Sequence, residues 1–215
     1  MKFETVLFDL DGTLLNTLDD LTDAVNHVLG NHGYPLRTRE QVRSALGNGA
    51  RDLLIKSLPE GTDEETLARL LEEYQPWYLA HSQVKTAPYE GIGELLKELQ
   101  KRGVKTAVVS NKGDLQVRPL AEKFFPEIPV AIGERKDLRR KPHPDMINEA
   151  LRLLGVSPDG AALMGDSEVD GQTAKNAGIA FLAAGWGFRD REILEAFDPA
   201  LYLEHPADLT ALWED

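Results

Sequence analysis

The chain has no cysteine, which excludes disulfides, thiolate nucleophiles and cysteine-based zinc sites and points to a reducing compartment. It is also short of positive charge. Lys and Arg number 24 against 36 Asp and Glu, a formal net charge of −12, with a pI near 4.9. Neither residues 16–84 nor the remainder is basic taken alone. A duplex binder needs a basic face to displace phosphate counterions, so nucleic acid is not an expected partner. Long apolar runs are missing as well. Met1-Lys2-Phe3-Glu4-Thr5 leads into only a few apolar residues before Asp9, which is not a signal-peptide core. Nothing approaches the ~18 apolar residues of a membrane span. These absences predict a soluble, cytoplasmic protein without a membrane partner. No internal repeat or low-complexity segment interrupts the chain.

What remains is an ordinary globular composition, 42% hydrophobic and 28% charged over 215 residues. That length suits one or two domains. Short apolar runs recur between segments of helical period. Thr5–Phe8, Thr106–Val109, Val130–Ile132, Ala161–Met164 and Ile179–Leu182 read as buried strands. Ile92, Leu95, Leu96 and Leu99 form a helix stripe, and Met146, Ile147, Ala150, Leu151 and Leu154 form a second. A helix beginning near Asp114 meets Pro119, which predicts a kink or a late start. Strands alternating with helices predict an α/β fold, a Rossmann-like parallel sheet covered on both faces.

One stretch breaks the alternation. From Thr17 to about His81 the pattern is helical throughout, with Thr17 as an N-cap candidate and Gly47-Asn48-Gly49 separating two shorter helices. An all-helical block after the first strand reads as an inserted cap domain. The expected division is 1–15 plus 85–215 for the α/β core and 16–84 for the cap. The joints, Leu14–Asn16 and Val84–Glu90, are short enough to act as hinges.

In open parallel sheets, ligands collect outside the carboxyl ends of the strands. Three of the apolar runs end in polar groups: Asp9 with Asp11, Ser110 with Asn111, and Asp166 with Ser167 and Asp170. In Asp9-Leu10-Asp11-Gly12-Thr13 the two carboxylates lie two apart on extended chain and share a face, while Leu10 turns into the core. Gly12 permits a tight turn whose N–H groups can face an anion. A simple Asp-Gly turn explains the same residues; a calcium loop does not, because its third ligand and closing Glu are absent. Asp166 and Asp170 stand four apart at a helix start, where capping accounts for one carboxylate better than two. Carboxylates from two strand ends are hard ligands of the kind Mg2+ prefers. Lys141 sits in a basic run that mostly reads as solvated surface, but Pro142 and Pro144 stiffen the chain beside it.

Asp9-Leu10-Asp11-Gly12-Thr13, Ser110-Asn111-Lys112, Lys141-Pro142-His143-Pro144 and Gly165-Asp166-Ser167-Glu168-Val169-Asp170 resemble, in order and spacing, the four motifs of haloacid dehalogenase-superfamily phosphatases. The helical block resembles that superfamily's α-helical cap. The resemblance implies a two-step phosphoryl transfer. Asp9 is the implied nucleophile and forms an aspartyl-phosphate. Asp11 is the implied acid for the leaving group and then the base for water. Mg2+ is implied between Asp9, the backbone carbonyl of Asp11, Asp166 and a phosphate oxygen, with Asp170 close by. Ser110, Asn111, Lys141 and the backbone at Gly12 and Thr13 are implied to hold the phosphoryl oxygens. Asp rather than Ala at the second position of the first motif favours a hydrolase that needs an acid.

Leu46 to Leu54 resembles the specificity loop of phosphoglycolate phosphatases. Asn48, Gly49 and Arg51 become candidate specificity residues, with Arg51 either clamping a carboxylate or lying in solvent. The implied partner is a small phosphorylated metabolite as substrate, 2-phosphoglycolate first, and the chain is expected to be a monomer or homodimer. A hexose-phosphate mutase is the alternative reading, and a non-catalytic phosphate-binding module is the third.

Overall fold

A computed structural model describes residues 3–211. Residues 1, 2 and 212–215, assigned above to the α/β core, lie outside the described residues. In chain order the elements are β1 (Thr5–Phe8), β2 (Leu15–Asn16), α1 (Leu18–Asn31), α2 (Arg39–Ala45), α3 (Gly49–Ser57), α4 (Glu64–His81), β3 (Ala87–Pro88), α5 (Ile92–Lys101), β4 (Lys105–Gly113) and α6 (Asp114–Phe124). They continue as β5 (Val130–Glu134), α7 (Asp145–Leu154), β6 (Ala161–Gly165), α8 (Glu168–Ala177), β7 (Ala180–Ala184), α9 (Arg191–Glu195), β8 (Leu201–Leu203) and α10 (Ala207–Thr210).

Six strands form one parallel sheet in the order β5-β4-β1-β6-β7-β8. The α/β reading is therefore correct. Alternation along each strand divides the apolar side chains between two layers. Val6 and Phe8 of β1 pack with Val108, Met164 and the α5 stripe Ile92, Leu95, Leu96 and Leu99. Leu7, one residue out of phase, joins Val109, Leu163 and the α7 stripe Met146, Ile147, Ala150 and Leu151 on the other face. The order reverses at β1, which lies between β4 and β6; this places its carboxyl end at the switch point of the sheet.

Helices α1 to α4 bury their apolar faces mostly against one another, in a cluster of Leu18, Leu21, Val25, Val28, Leu29, Leu67, Leu70, Tyr74 and Tyr78 among others, with Phe188 as the contribution from outside residues 16–84. The chain leaves for this helical unit and returns from it side by side. β2 pairs antiparallel with β3, Leu15 opposite Pro88 and Asn16 opposite Ala87. Buried Asp20 fastens the return: its carboxylate accepts from the N–H groups of Val84, Lys85 and Thr86 and from the Thr86 hydroxyl. Two sequence expectations need correcting, the Thr17 cap and the late start at Pro119. Thr17 sits at the N-cap position but makes no side-chain capping bond, its hydroxyl being buried without a partner among the described residues. Pro119 does not delay α6, which starts at Asp114; the carbonyl that loses its donor belongs to exposed Leu115, where water can replace it. The short edge strand β8 was not foreseen. Among the described residues no helix is long and apolar enough to cross a membrane.

Candidate active site

The carboxyl ends of β4, β1 and β6 converge on one crevice, whose lining includes Asp9, Asp11, Ser110, Asn111, Lys112, Asp166 and Ser167 from the sheet unit. Burial forces these polar groups to find partners, and they find one another. Asp9 Oδ1 accepts from the N–H of Leu10 at 2.7 Å and lies 3.0 Å from Lys141 Nζ. The same ammonium is 2.6 Å from Asp170 Oδ1, so Lys141 bridges two carboxylates. The Lys141–Pro142 peptide is cis. Asp170 stands at the third position of α8, and its other oxygen accepts from the Ser167 N–H and hydroxyl at 3.1 and 2.6 Å. The capping explanation thus holds for Asp170, and the same carboxylate also serves Lys141.

Asp166 is oriented from two sides, by the Thr13 hydroxyl at 3.1 Å and the Phe188 N–H at 2.7 Å. Gly12 makes room for it. The residue adopts φ +85, and a Cβ there would overlap the Asp166 carboxylate. The Gly12 N–H donates to the Leu15 carbonyl at 2.9 Å, and the Thr13 N–H faces the Leu10 carbonyl at 3.4 Å. Both residues shape the acidic cluster, in a turn that closes on itself in the manner of an Asp-Gly turn.

Clustered negative charge shifts the acids. Burial raises the Asp9 carboxyl first of all; Lys141 pulls it back, Asp170 and Asp11 push it up again, and it ends at about 7. Burial and then Asp170 and Asp9 hold Asp166 well above the usual carboxylate range, against the Phe188 and Thr13 donors. For Lys141 burial would lower the ammonium, but Asp170 and Asp9 more than reverse it and keep it charged. Asp9, Asp166 and Asp170 each offer an oxygen within 4.8 Å of the other two. An all-oxygen, over-acidic, buried donor set of this kind suits a hard divalent cation.

Lys112, to which the motif Ser110-Asn111-Lys112 assigns no role, is a further residue of the site: its Nζ lies 2.9 and 2.8 Å from the two oxygens of Asp11 and 4.6 Å from the Tyr78 ring centroid. Nothing local in the sequence marks this pairing, which spans 101 residues.

The opposite wall comes from the helical unit, with Leu21, Leu46, Leu53, Tyr74 and Tyr78. The cavity between the walls is about 60 Å³, room for a few waters or a small anion. Three sheet-unit side chains donate to three consecutive carbonyls of the loop between α2 and α3. Arg189 reaches Leu46 at 2.6 Å, Asn111 reaches Gly47 at 3.1 Å and Arg140 reaches Asn48 at 2.8 Å. Asn111 also donates to the Lys141 carbonyl at 3.0 Å. Gly49, at φ +79, lines the crevice, and a Cβ there would crowd the Asn111 carbonyl at 3.0 Å. Arg51 stands elsewhere: it pairs with Glu64 at 2.6 Å, half exposed, and is absent from the crevice lining. A position two residues into α3 points it along the surface toward the start of α4.

The haloacid dehalogenase-like hydrolase family matches residues 6–184. A pyrophosphatase PpaX of Bacillus cereus is 33% identical over 221 aligned positions, covering 100% of this chain and 98% of the relative. A phosphoglycolate phosphatase of Pseudomonas savastanoi pv. phaseolicola is 35% identical over 209 positions, covering 93% of this chain and 75% of that protein. A solved structure from Lactobacillus delbrueckii subsp. bulgaricus, provisionally described as a phosphoglycolate phosphatase, superposes with a TM-score of 0.90 at 36% identity and covers 97% of both chains. The chain thus belongs to the haloacid dehalogenase-like hydrolase family, and within it to the phosphatases.

Proposed function

We propose that this protein hydrolyses a small phosphate ester or anhydride through an aspartyl-phosphate on Asp9, with Mg2+ as cofactor. The observation that carries the reading is the pairing at the end of β1. Asp9 is backed by Lys141 at 3.0 Å, and Asp11 stands two residues on with its own lysine. Asp9 supplies the attacking carboxylate oxygen. Lys141 keeps that carboxylate oriented and offsets the charge of Asp170 behind it. Ser110 and Asn111, on the adjoining strand end, hold phosphoryl oxygens. Asp11 gives a proton to the leaving oxygen and then takes one from the water that opens the acyl-phosphate. Asp9, Asp166 and the Asp11 backbone carbonyl would hold Mg2+, and Asp170 would steady them through Lys141 and Ser167. When bound, the ion supplies charge neutralisation for the transferring phosphoryl group.

The helical unit, residues 16–84, acts in this reading as a cap that closes over the crevice on the β2–β3 joint and excludes water. Its tight fit around a small volume favours short substrates. 2-Phosphoglycolate and pyrophosphate, the substrates named for the relatives, are the leading candidates. No structural observation favours the mutase or the non-catalytic module.

Phosphate release with Mg2+ is the test, from a panel of 2-phosphoglycolate, pyrophosphate, hexose phosphates and nucleotides, with EDTA and Asp9→Asn controls. Release that both controls abolish is the expected result. Release that survives in Asp9→Asn would overturn the nucleophile, and interconversion of hexose phosphates without release would establish a mutase.

A further inference from the structure

Among the described residues two cationic side chains line the crevice, Lys112 and Arg189, and Lys141 stands behind Asp9; Lys141 and Arg189 are fully committed to protein. Lys141 lies between Asp9 and Asp170. Arg189 pairs with Glu168 at 2.8 Å and donates to the carbonyls of Leu46 and Arg43. Lys112 is different. Its ammonium lines the crevice, is 8% exposed, and meets one counter-ion, Asp11. Beyond that it has the face of Tyr78, whose own hydroxyl is buried without a partner among the described residues.

If Asp11 serves the leaving group, as the proposed function requires, its carboxylate must turn from Lys112 toward the reacting oxygen. Lys112 would then be a buried cation without an anion, a state that proteins avoid. A substrate that brings a second negative group beside its phosphoryl group removes the conflict: it takes the place of Asp11 on the ammonium. An ammonium has three donors, so it can exchange one carboxylate for another without moving far. We propose that Lys112 is the receptor for a second anionic group on the substrate, and that the site selects phosphate esters and anhydrides carrying a carboxylate or second phosphoryl group close to the scissile bond. Lys112 is in this sense a specificity-determining residue. The proposal rests on the reading of Asp11 as acid and base.

The test compares 2-phosphoglycolate, pyrophosphate and ethyl phosphate, the last being a two-carbon ester with no second anion. The wild type is expected to favour the first or second over ethyl phosphate in kcat/KM. In Lys112→Met that preference should shrink roughly 100-fold, the size of a lost charge-assisted hydrogen bond, with KM carrying the change. Lys112→Arg should restore part of it. Equal losses on all three substrates would mean that Lys112 only positions Asp11, and would overturn the proposal, as would a wild type without preference. Calorimetric binding to Asp9→Asn and Asp9→Asn/Lys112→Met separates this failure from failure of the hydrolase reading. If the wild type turns over nothing, a binding preference for phosphoglycolate over ethyl phosphate that disappears with Lys112 still supports the receptor. Absence of that preference in binding rejects it.

Discussion

The two walls of the crevice are built in opposite ways. On the sheet wall, carboxylates are held by named partners: Asp9 and Asp170 by Lys141, Asp11 by Lys112, Asp166 by Thr13 and the Phe188 N–H. On the helical wall, Leu21, Leu46, Leu53, Tyr74 and Tyr78 offer shape and little charge. That wall is fastened mainly through the carbonyls of Leu46, Gly47 and Asn48, by donors that belong to the sheet unit. Charges on strand ends are held in place by the sheet, so they can stabilise a transition state without reorganising. An apolar wall joined by a few hydrogen bonds and a two-residue ribbon can move and readapt. In the proposed reading the rigid sheet wall carries the chemistry and, at Lys112, the choice of anion, while the helical wall contributes shape.

The strongest way to break this comparison is at Asp9. Asp9→Asn should lower phosphate release roughly 10⁴-fold while circular dichroism stays unchanged; a small loss would place the chemistry elsewhere. The same variant tests the strain in the acidic cluster. An acid whose folded-state pKa is raised keeps a proton that the unfolded chain has lost, so its contribution to stability falls as pH rises between the two values. For Asp9 that window runs from its ordinary 3.8 to about 7, and Asp166 shifts the same way. Without metal at pH 8, Asp9→Asn should melt about 2–4 °C above the wild type, and the gap should close below pH 4. Mg2+ should stabilise the wild type more at pH 8 than at pH 5. A constant gap across pH would show that the cluster carries no such strain.

On the joint between the walls the expected effect is smaller. Arg189→Ala removes the donor to Leu46 and leaves Glu168 without its partner. It should lower kcat/KM roughly 10-fold through looser closure, read by steady-state kinetics. Arg51→Ala should change kcat/KM by less than about twofold, as exposed ion pairs contribute little. A tenfold loss there would mean that Arg51 enters the crevice during turnover, and that the helical wall contributes charge after all.

Much of the fold was legible because its cause is local. The stripes Ile92–Leu99 and Met146–Leu154 and the run Thr5–Phe8 repeat at periods that admit one secondary structure each, and all became the elements expected. Leu10 turned into the core and Asp9 and Asp11 reached the crevice together. The failures have a different origin. β8 is three residues long and is held by pairing with β7, not by its own pattern. Thr17 and Pro119 each carry a sound local preference that their surroundings overrode or made harmless. Arg140 belongs to the basic run that reads as solvated surface, and Arg189 carries no signal of its own, because their acceptors, Asn48 and Leu46, are 92 and 143 residues away.

What the sequence determined by itself was where strands end and which of them end in Asp, Ser or Asn, since a two-residue period and an apolar run set both. It also set the helical insertion, through an unbroken 3.6-residue pattern. Only the tertiary structure decided which charge faces which. Lys112 meets Asp11 across 101 residues, Lys141 meets Asp170 across 29, and Thr13 meets Asp166 across 153. Electrostatic attraction and burial act through space, so pairings of this kind are fixed when the strands assemble side by side, and the chain carries no local record of them.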